Sequence, residues 1–206
     1  MSGLRKITNM IRDIIKASIS VKEKILNDVD LIASIAEVTE VCTQAFQQDK
    51  KVLFCGNGGS AADAQHLAAE FSGRFYFDRD PLFAEALHVN TSYLTAVAND
   101  YAYDEIYARL IKAKGRKGDI LFGISTSGNS KNIVRAFEQA KLQGMITIGM
   151  TGSTGGKMKN WSDYLLNMPS TDTPRIQEAH ILVGHIICEL VEKNLFPVMV
   201  ESKKSV

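Results

Sequence analysis

Residues Lys51 to Arg74 read KVLFCGNGGSAADAQHLAAEFSGR, and the fold follows from this stretch. The apolar run Val52-Leu53-Phe54-Cys55 has the length and composition of a buried parallel strand. It stops at Gly56-Asn57-Gly58-Gly59-Ser60, where a helical pattern takes over. Strand, tight turn and helix form the repeating unit of open α/β sheets, which collect ligands at the carboxyl ends of their strands. The glycines let the backbone approach a ligand. Ser60, with Asp63 three residues on, is expected to cap the helix, leaving first-turn N–H groups aimed at an anion. The turn matches neither the GxGxxG nor the GxxxxGK[ST] fingerprint. Further along the same helix, His66 and Glu70 stand four residues apart on one face. That spacing suits a shared metal ion or a proton-transfer pair, although on an amphipathic helix such a pair is more often a solvated or structural couple.

A second unit of the same kind follows. Asp119-Ile120-Leu121-Phe122-Gly123-Ile124 reads as a buried strand, Ser125-Thr126-Ser127-Gly128-Asn129-Ser130 as a loop, and Lys131 begins a helix. Four hydroxyl residues around one glycine, between a buried strand and a helix N-terminus, supply what a phosphate needs when no arginine or lysine fork is present. Further strands are read at Ala84 to Val89, Met145 to Met150 and Asp163 to Met168. Pro174 starts a final helix, with Thr173 as its cap, running to about Asn194 and apolar on nearly every face. Gln177, His180 and His185 are its polar exceptions, and buried polar groups need partners. Asn99 and Asp100 fall where one helix gives way to the next, as a capping pair or as groups for a sugar hydroxyl. His88, at a strand end, reads as structural.

Upstream, Leu4, Ile7, Ile11, Ile14 and Ile15, and then Val29, Ile32, Ile35, Val38, Val41, Cys42 and Phe46, recur at helical spacing. Residues 1–49 are therefore read as a helical pair packing on the core and on a neighbouring subunit, and residues 50–197 as an α/β core, within one domain of 206 residues. The order predicts a five-stranded parallel sheet between helical layers, with strands and helices alternating five times. Hydrophobic residues make up 45%, charged residues 23%, and the formal net charge is +1, so no broad field attracts nucleic acid and an anion must be gripped locally. Cys42, Cys55 and Cys188 are odd in number and sit in apolar segments, as reduced core residues of a cytoplasmic protein do. Arg5, Lys6, Arg12 and Asp13 interrupt the first apolar residues, which excludes a signal peptide or membrane span. The tail after Pro197 is short and charged.

GNGGSAADAQHLAAE, AVANDYAYDEIYARL, GDILFGISTSGNSKNI and TPRIQEAHILVGHIICELVE together resemble the sugar isomerase (SIS) domain, a flavodoxin-like three-layer fold. Within that fold they resemble most closely the phosphoheptose isomerase (sedoheptulose 7-phosphate isomerase) branch. The resemblance spans almost the whole chain and implies aldose–ketose isomerisation through an enediol, at the start of ADP- or GDP-heptose synthesis. Position by position, it implies that Ser125, Thr126, Ser127 and Ser130 hold the phosphate. Asn57, Gly58, Gly59 and Ser60 then lie near the sugar, and Asn99 and Asp100 contact substrate. It further implies a zinc site of His66, Glu70, Gln177 and His185, with Glu70 as base and His185 as proton relay, Arg74 close by and no organic cofactor. Homotetramers with shared active sites are the family habit, and no nucleic acid or membrane partner is implied.

Helix geometry opposes one part of this. Gln177 and His185 are eight residues apart, roughly 12 Å of rise and about 80° of rotation. Spacing alone pairs Gln177 with His180, whereas the resemblance selects His185, so the groups that meet are expected to come from different subunits. A rival of the same fold, the DnaA initiator-associating protein, is a non-catalytic tetrameric scaffold with similar GNG, STxGNS and RIQE stretches. It lacks the acid and imidazole corresponding to Glu70 and His185, so the enzyme reading leads. Another phosphosugar isomerase or binding module is the second rival.

Overall fold

A computed structural model describes residues 2–197; the charged tail lies outside them. Helices α1 (Ser2–Asn27) and α2 (Val29–Gln47) precede β1 (Val52–Gly56) and α3 (Gly59–Ser72). Then come β2 (Ala84–Ala86), α4 (Thr91–Asp100), α5 (Ile106–Lys114), β3 (Ile120–Ile124), α6 (Lys131–Leu142), β4 (Ile146–Thr151), β5 (Tyr164–Asn167) and α7 (Thr173–Leu195). All strand pairs are parallel, in the order β2-β1-β3-β4-β5. The strand order reverses between β1 and β3, so their carboxyl ends, Gly56 and Ile124, flank the crevice where ligands bind in sheets of this type.

Strand periodicity divides the core in two. Val52, Phe54, Ile120, Phe122 and Ile124 point into one apolar cluster together with residues of α2, α3 and α7, whereas Leu53, Cys55 and Leu121 point into the other, with α5 and α6. These strands are buried along their whole length, which is why they read as continuous apolar runs. Cys42 and Cys188 lie in the first cluster and Cys55 in the second; all three are free and buried, and burial pushes the Cys42 thiol up to about 12. Helix α2 buries Leu31, Ile35, Val38 and Cys42, but α1 buries only Val21 and Ile25 among its apolar residues. No helix among the described residues is long and apolar enough to cross a membrane.

Several local expectations are corrected. The strand read at Ala84 to Val89 covers only Ala84–Ala86, because the chain turns towards the Asn90 cap of α4. Strands and helices do not alternate five times: β4 and β5 are joined by a 3-10 turn at Gly156–Asn160. Gly58 (φ 55°), not Ser60, occupies the N-cap of α3, so Ser60 lies inside the first turn, and Thr173 is the first residue of α7, with Asp172 at its cap. The cause is shared: these helices begin one or two residues early, and neither cap residue bonds the helix through its side chain.

Candidate active site

Two helices begin at the crevice, α3 after β1 and α6 after β3. Helices α2 and α4 are capped by side chains, Asp28 accepting from Leu31 N and Asn90 from Tyr93 N. Helices α3 and α6, starting from Gly58 and Ser130, have no side-chain cap bond and no acidic residue in the first turn. Their positive ends therefore converge on the loops after β1 and β3, an arrangement that favours an anion.

Those loops are tied together. The Asn57 and Asn132 amides exchange two hydrogen bonds, of 2.9 and 2.8 Å, and Tyr103 Oη donates to Asn57 Oδ1. Ser125 and Ser130 share a hydroxyl–hydroxyl bond of 3.1 Å across the second loop. Gly128 (φ 63°) packs so tightly on the Gly155 carbonyl that no Cβ fits. Beside this loop lies a cavity of about 250 Å³ rimmed with hydroxyls from Thr126, Ser127, Ser153, Ser170, Thr171 and Thr173. A larger groove, about 550 Å³, lies between α5 and α6, but its Arg135 is neutralised by Glu105 and Glu138, and Lys141 by Asp163.

A second constellation sits further along α3. His66 Nε2 lies 2.9 Å from Glu70 Oε1 and 3.3 Å from His185 Nε2. The two imidazoles meet edge to face, with ring centres 4.9 Å apart. One ligand atom from each of the three residues lies within 4.8 Å of the others. Two ring nitrogens this close need a proton or a cation between them, and two imidazoles with a carboxylate form a donor set suited to a divalent transition metal. Burial, reinforced by His66, lowers the His185 pKa against the pull of Glu70, which keeps the ring neutral and able to act as a ligand at neutral pH.

His66, Glu70 and His185 therefore meet within one chain. Gln177 is not brought to them. It lies against the start of α3, where a Cβ on Gly59 would stand 2.6 Å from Gln177 Nε2. Helices α3 and α7 run side by side, Gln177 against Gly59 and Gly184 against Leu67, so the distance between Gln177 and His185 along α7 is kept. Asn99 and Asp100 form the exposed last turn of α4 and bond each other at 3.0 Å instead of capping a helix. Ser60 is buried and Arg74 exposed beyond the end of α3. His180 is fully buried, with Nε2–H donating to the Thr151 carbonyl, and burial lowers its pKa to about 4. His88 is half-buried and its pKa is lowered by desolvation.

Sequence reasoning missed the partners that hold these groups. Asn132 sits 75 residues from Asn57, and nothing in a helix-forming stretch marked it. Asp63 stands one turn before His66 with one carboxylate oxygen buried and unbonded among the described residues, and desolvation raises its pKa. The spacing of Asp63, His66 and Glu70 on one helix face was the available signal.

An open parallel sheet with two helix N-termini and a hydroxyl-rich loop at its switch point defines an α/β domain with an anion-binding crevice. Consistent with this, the family model described as "SIS domain" matches residues 17–152. A curated relative from Clostridium acetobutylicum, "Phosphoheptose isomerase", is 56% identical over 188 residues, covering 91% of this chain and 96% of the relative. Solved structures of phosphoheptose isomerases from Neisseria gonorrhoeae (TM-score 0.85, 40% identity, 91% of this chain and 99% of that one) and Francisella tularensis (TM-score 0.86, 34% identity, 90% and 98%) share the fold. The chain belongs to the phosphoheptose isomerase family of SIS-domain enzymes.

Proposed function

We propose that this chain isomerises sedoheptulose 7-phosphate to D-glycero-D-manno-heptose 7-phosphate, supplying heptose for nucleotide-activated sugars in the cytoplasm. The observation that carries the reading is a carboxylate–imidazole trio, His66 and Glu70 on α3 with His185 on α7, in a chain whose α3 also begins at an anion-ready crevice. The phosphate is assigned to Ser125, Thr126, Ser127 and Ser130 with the first-turn amides of α6, and the sugar to Asn57, Gly58, Gly59, Ser60, Asn99, Asp100 and Gln177. Fixing the phosphate makes proton transfer at the other end of the sugar effectively intramolecular.

His66, Glu70 and His185 would hold a zinc ion, which when bound polarises the substrate carbonyl as a Lewis acid. Glu70 Oε1 is engaged by His66, and the second carboxylate oxygen is assigned to remove the proton from C1. His185 is assigned to pass a proton to O2 as the enediol forms, from Nδ1, the nitrogen that stays protonated when Nε2 is a ligand. Glu70 then returns its proton to C2 while O1 gives its proton to His185, restoring the donor, so C1 is oxidised to the aldehyde and C2 reduced to the carbinol with no external electron acceptor.

One chain keeps the two halves apart. Glu70 lies eleven residues, roughly 16 Å, along α3 from Gly59, and Gln177 stays at the Gly59 end. The trio of one copy is therefore assigned to the crevice and Gln177 of a neighbour, in a homotetramer with shared sites. Residues 1–49 are assigned to that contact as well as to the core, because α1 leaves Leu4, Ile7, Ile11 and Ile14 at least half exposed. The test is incubation with sedoheptulose 7-phosphate, with heptose 7-phosphate as the expected product. A purified oligomer inert towards it would overturn the proposal.

A further inference from the structure

The turn that follows α3 is built around a buried ion pair that the mechanism above does not use. Arg79 and Glu192 side chains are each 1% exposed, and Arg79 Nε donates to Glu192 Oε1 at 3.1 Å. The rest of the guanidinium serves the end of α3. Nη2 donates to the carbonyl of Glu70 itself at 2.9 Å, and Nη1 to those of Phe71, Gly73 and Asp80 at 2.7, 3.0 and 3.0 Å. The carbonyls of Glu70 and Phe71 belong to the last helical turn and have no partner within the helix. Glu192 accepts from three successive backbone amides, Phe75, Tyr76 and Phe77, at 3.0, 2.7 and 3.2 Å. That bend sets the Phe75 ring against His185, with centres 5.7 Å apart.

The placement couples two elements. Glu192 lies seven residues beyond His185 on α7, two turns along nearly the same face, so the helix that presents the imidazole also anchors the turn that backs it. The same ion pair grips the residue that presents the carboxylate. A buried charge pair is a weak source of net stability, and this one is spread over seven backbone groups converging beside the trio. We propose that Arg79 and Glu192 are positioning residues, a clamp that fixes the Glu70 end of α3 and the Phe75 ring so that Glu70, His66 and His185 converge on one point. The proposal deepens the isomerase reading and rests on it for the use made of that point.

The test is zinc affinity by competition with a chromophoric chelator, alongside kcat and KM for sedoheptulose 7-phosphate. R79K keeps the positive charge beside Glu192 but loses the planar fork that reaches the carbonyls. The expected result is a folded protein whose zinc affinity and kcat each fall about 10- to 100-fold, while KM moves less than about threefold. Zinc affinity and kcat within about twofold of the parent in folded R79K would overturn the clamp. Should R79K fail to fold, F75L leaves the ion pair intact and removes only the ring against His185. Weaker zinc binding in F75L then supports the proposal, and unchanged binding sinks it. A parent chain that binds zinc but does not turn over defeats the isomerase reading alone, since the affinity comparison still judges the clamp. A parent without zinc affinity defeats the clamp as well.

Discussion

His66 and His185, 119 residues apart in sequence, face each other Nε2 to Nε2 across 3.3 Å, on helices that leave the sheet in the same direction. Two ring nitrogens pointed at one locus beside a carboxylate are stable in that pose when a cation lies among them. Protein prepared without chelators is expected to carry zinc near one per chain. Exhaustive chelation should cut turnover at least about tenfold, and added zinc should restore it. Undiminished turnover after chelation would leave the imidazoles with proton-transfer roles only.

Glu70 is the group whose loss should separate binding from chemistry. Glu70→Gln keeps the shape but cannot accept a carbon-bound proton, so kcat is expected to fall roughly 10³-fold while phosphosugar binding changes little. Isothermal titration alongside a product assay reads both. Near-normal turnover would move the base elsewhere.

Two neighbouring glycines should respond oppositely to one methyl group. A Cβ on Gly56 would stand 2.3 Å from the Ser60 carbonyl oxygen, a backbone atom that cannot give way, so Gly56→Ala is expected to lose about 3 kcal/mol or more. A Cβ on Gly59 meets only the flexible Gln177 amide. Gly59→Ala should stay within about 1 kcal/mol of the parent yet lose activity as Gln177 is displaced. Urea unfolding and steady-state kinetics on both variants check this, and a fully active Gly59→Ala would exclude Gln177 from the site.

His180 makes stability depend on acid. Its neutral ring is favoured in the fold, where the pKa is about 4 against 6.5 when unfolded. The unfolded chain therefore takes up the proton first, so this contribution is complete above pH 6.5 and is lost as pH falls towards 4. By pH 4.5 the loss is on the order of 2 to 3 kcal/mol. His180→Gln can still donate to Thr151 but cannot titrate. Between pH 7.5 and 4.5, at matched protein concentration, the parent should lose that much more stability than the variant; equal losses would refute the assignment.

The apolar stripe on α1 predicts assembly. Ile7 and Ile11 are 56% and 52% exposed on a helix whose early turns touch little else, so changing both to Lys should scarcely affect the secondary structure of the chain. Light scattering should show a smaller particle and turnover should fall with it. A mass unchanged from the parent would remove this stripe from the subunit contact.

How much of this was legible depends on the range of the interaction. The strands around Phe54 and Phe122 were readable because a strand buried on both faces leaves a continuous apolar run. The two loops were readable because Gly128 and the hydroxyls around it lie together in sequence. The starts of α3 and α7 were misread because Ser60 and Thr173 look like caps, whereas the chain enters the helical conformation before reaching them. His66 and Glu70 were visible as a pair, but their meeting with His185 within one chain depends on α3 and α7 running abreast, and no local pattern records that. Arg79 and Glu192, 113 residues apart, were invisible for the same reason.

The long contact of α7 with α3 has an evolutionary corollary. Gln177, His185 and Glu192 are spaced along a single uninterrupted helix, so α7 fixes the intervals between the side chain against Gly59, the imidazole beside His66 and the carboxylate on Arg79. One residue inserted between Gln177 and His185 would swing everything beyond it by about 100° and shift it about 1.5 Å, so that either Gln177 would leave Gly59 or His185 would leave His66. Length variation should be forbidden here.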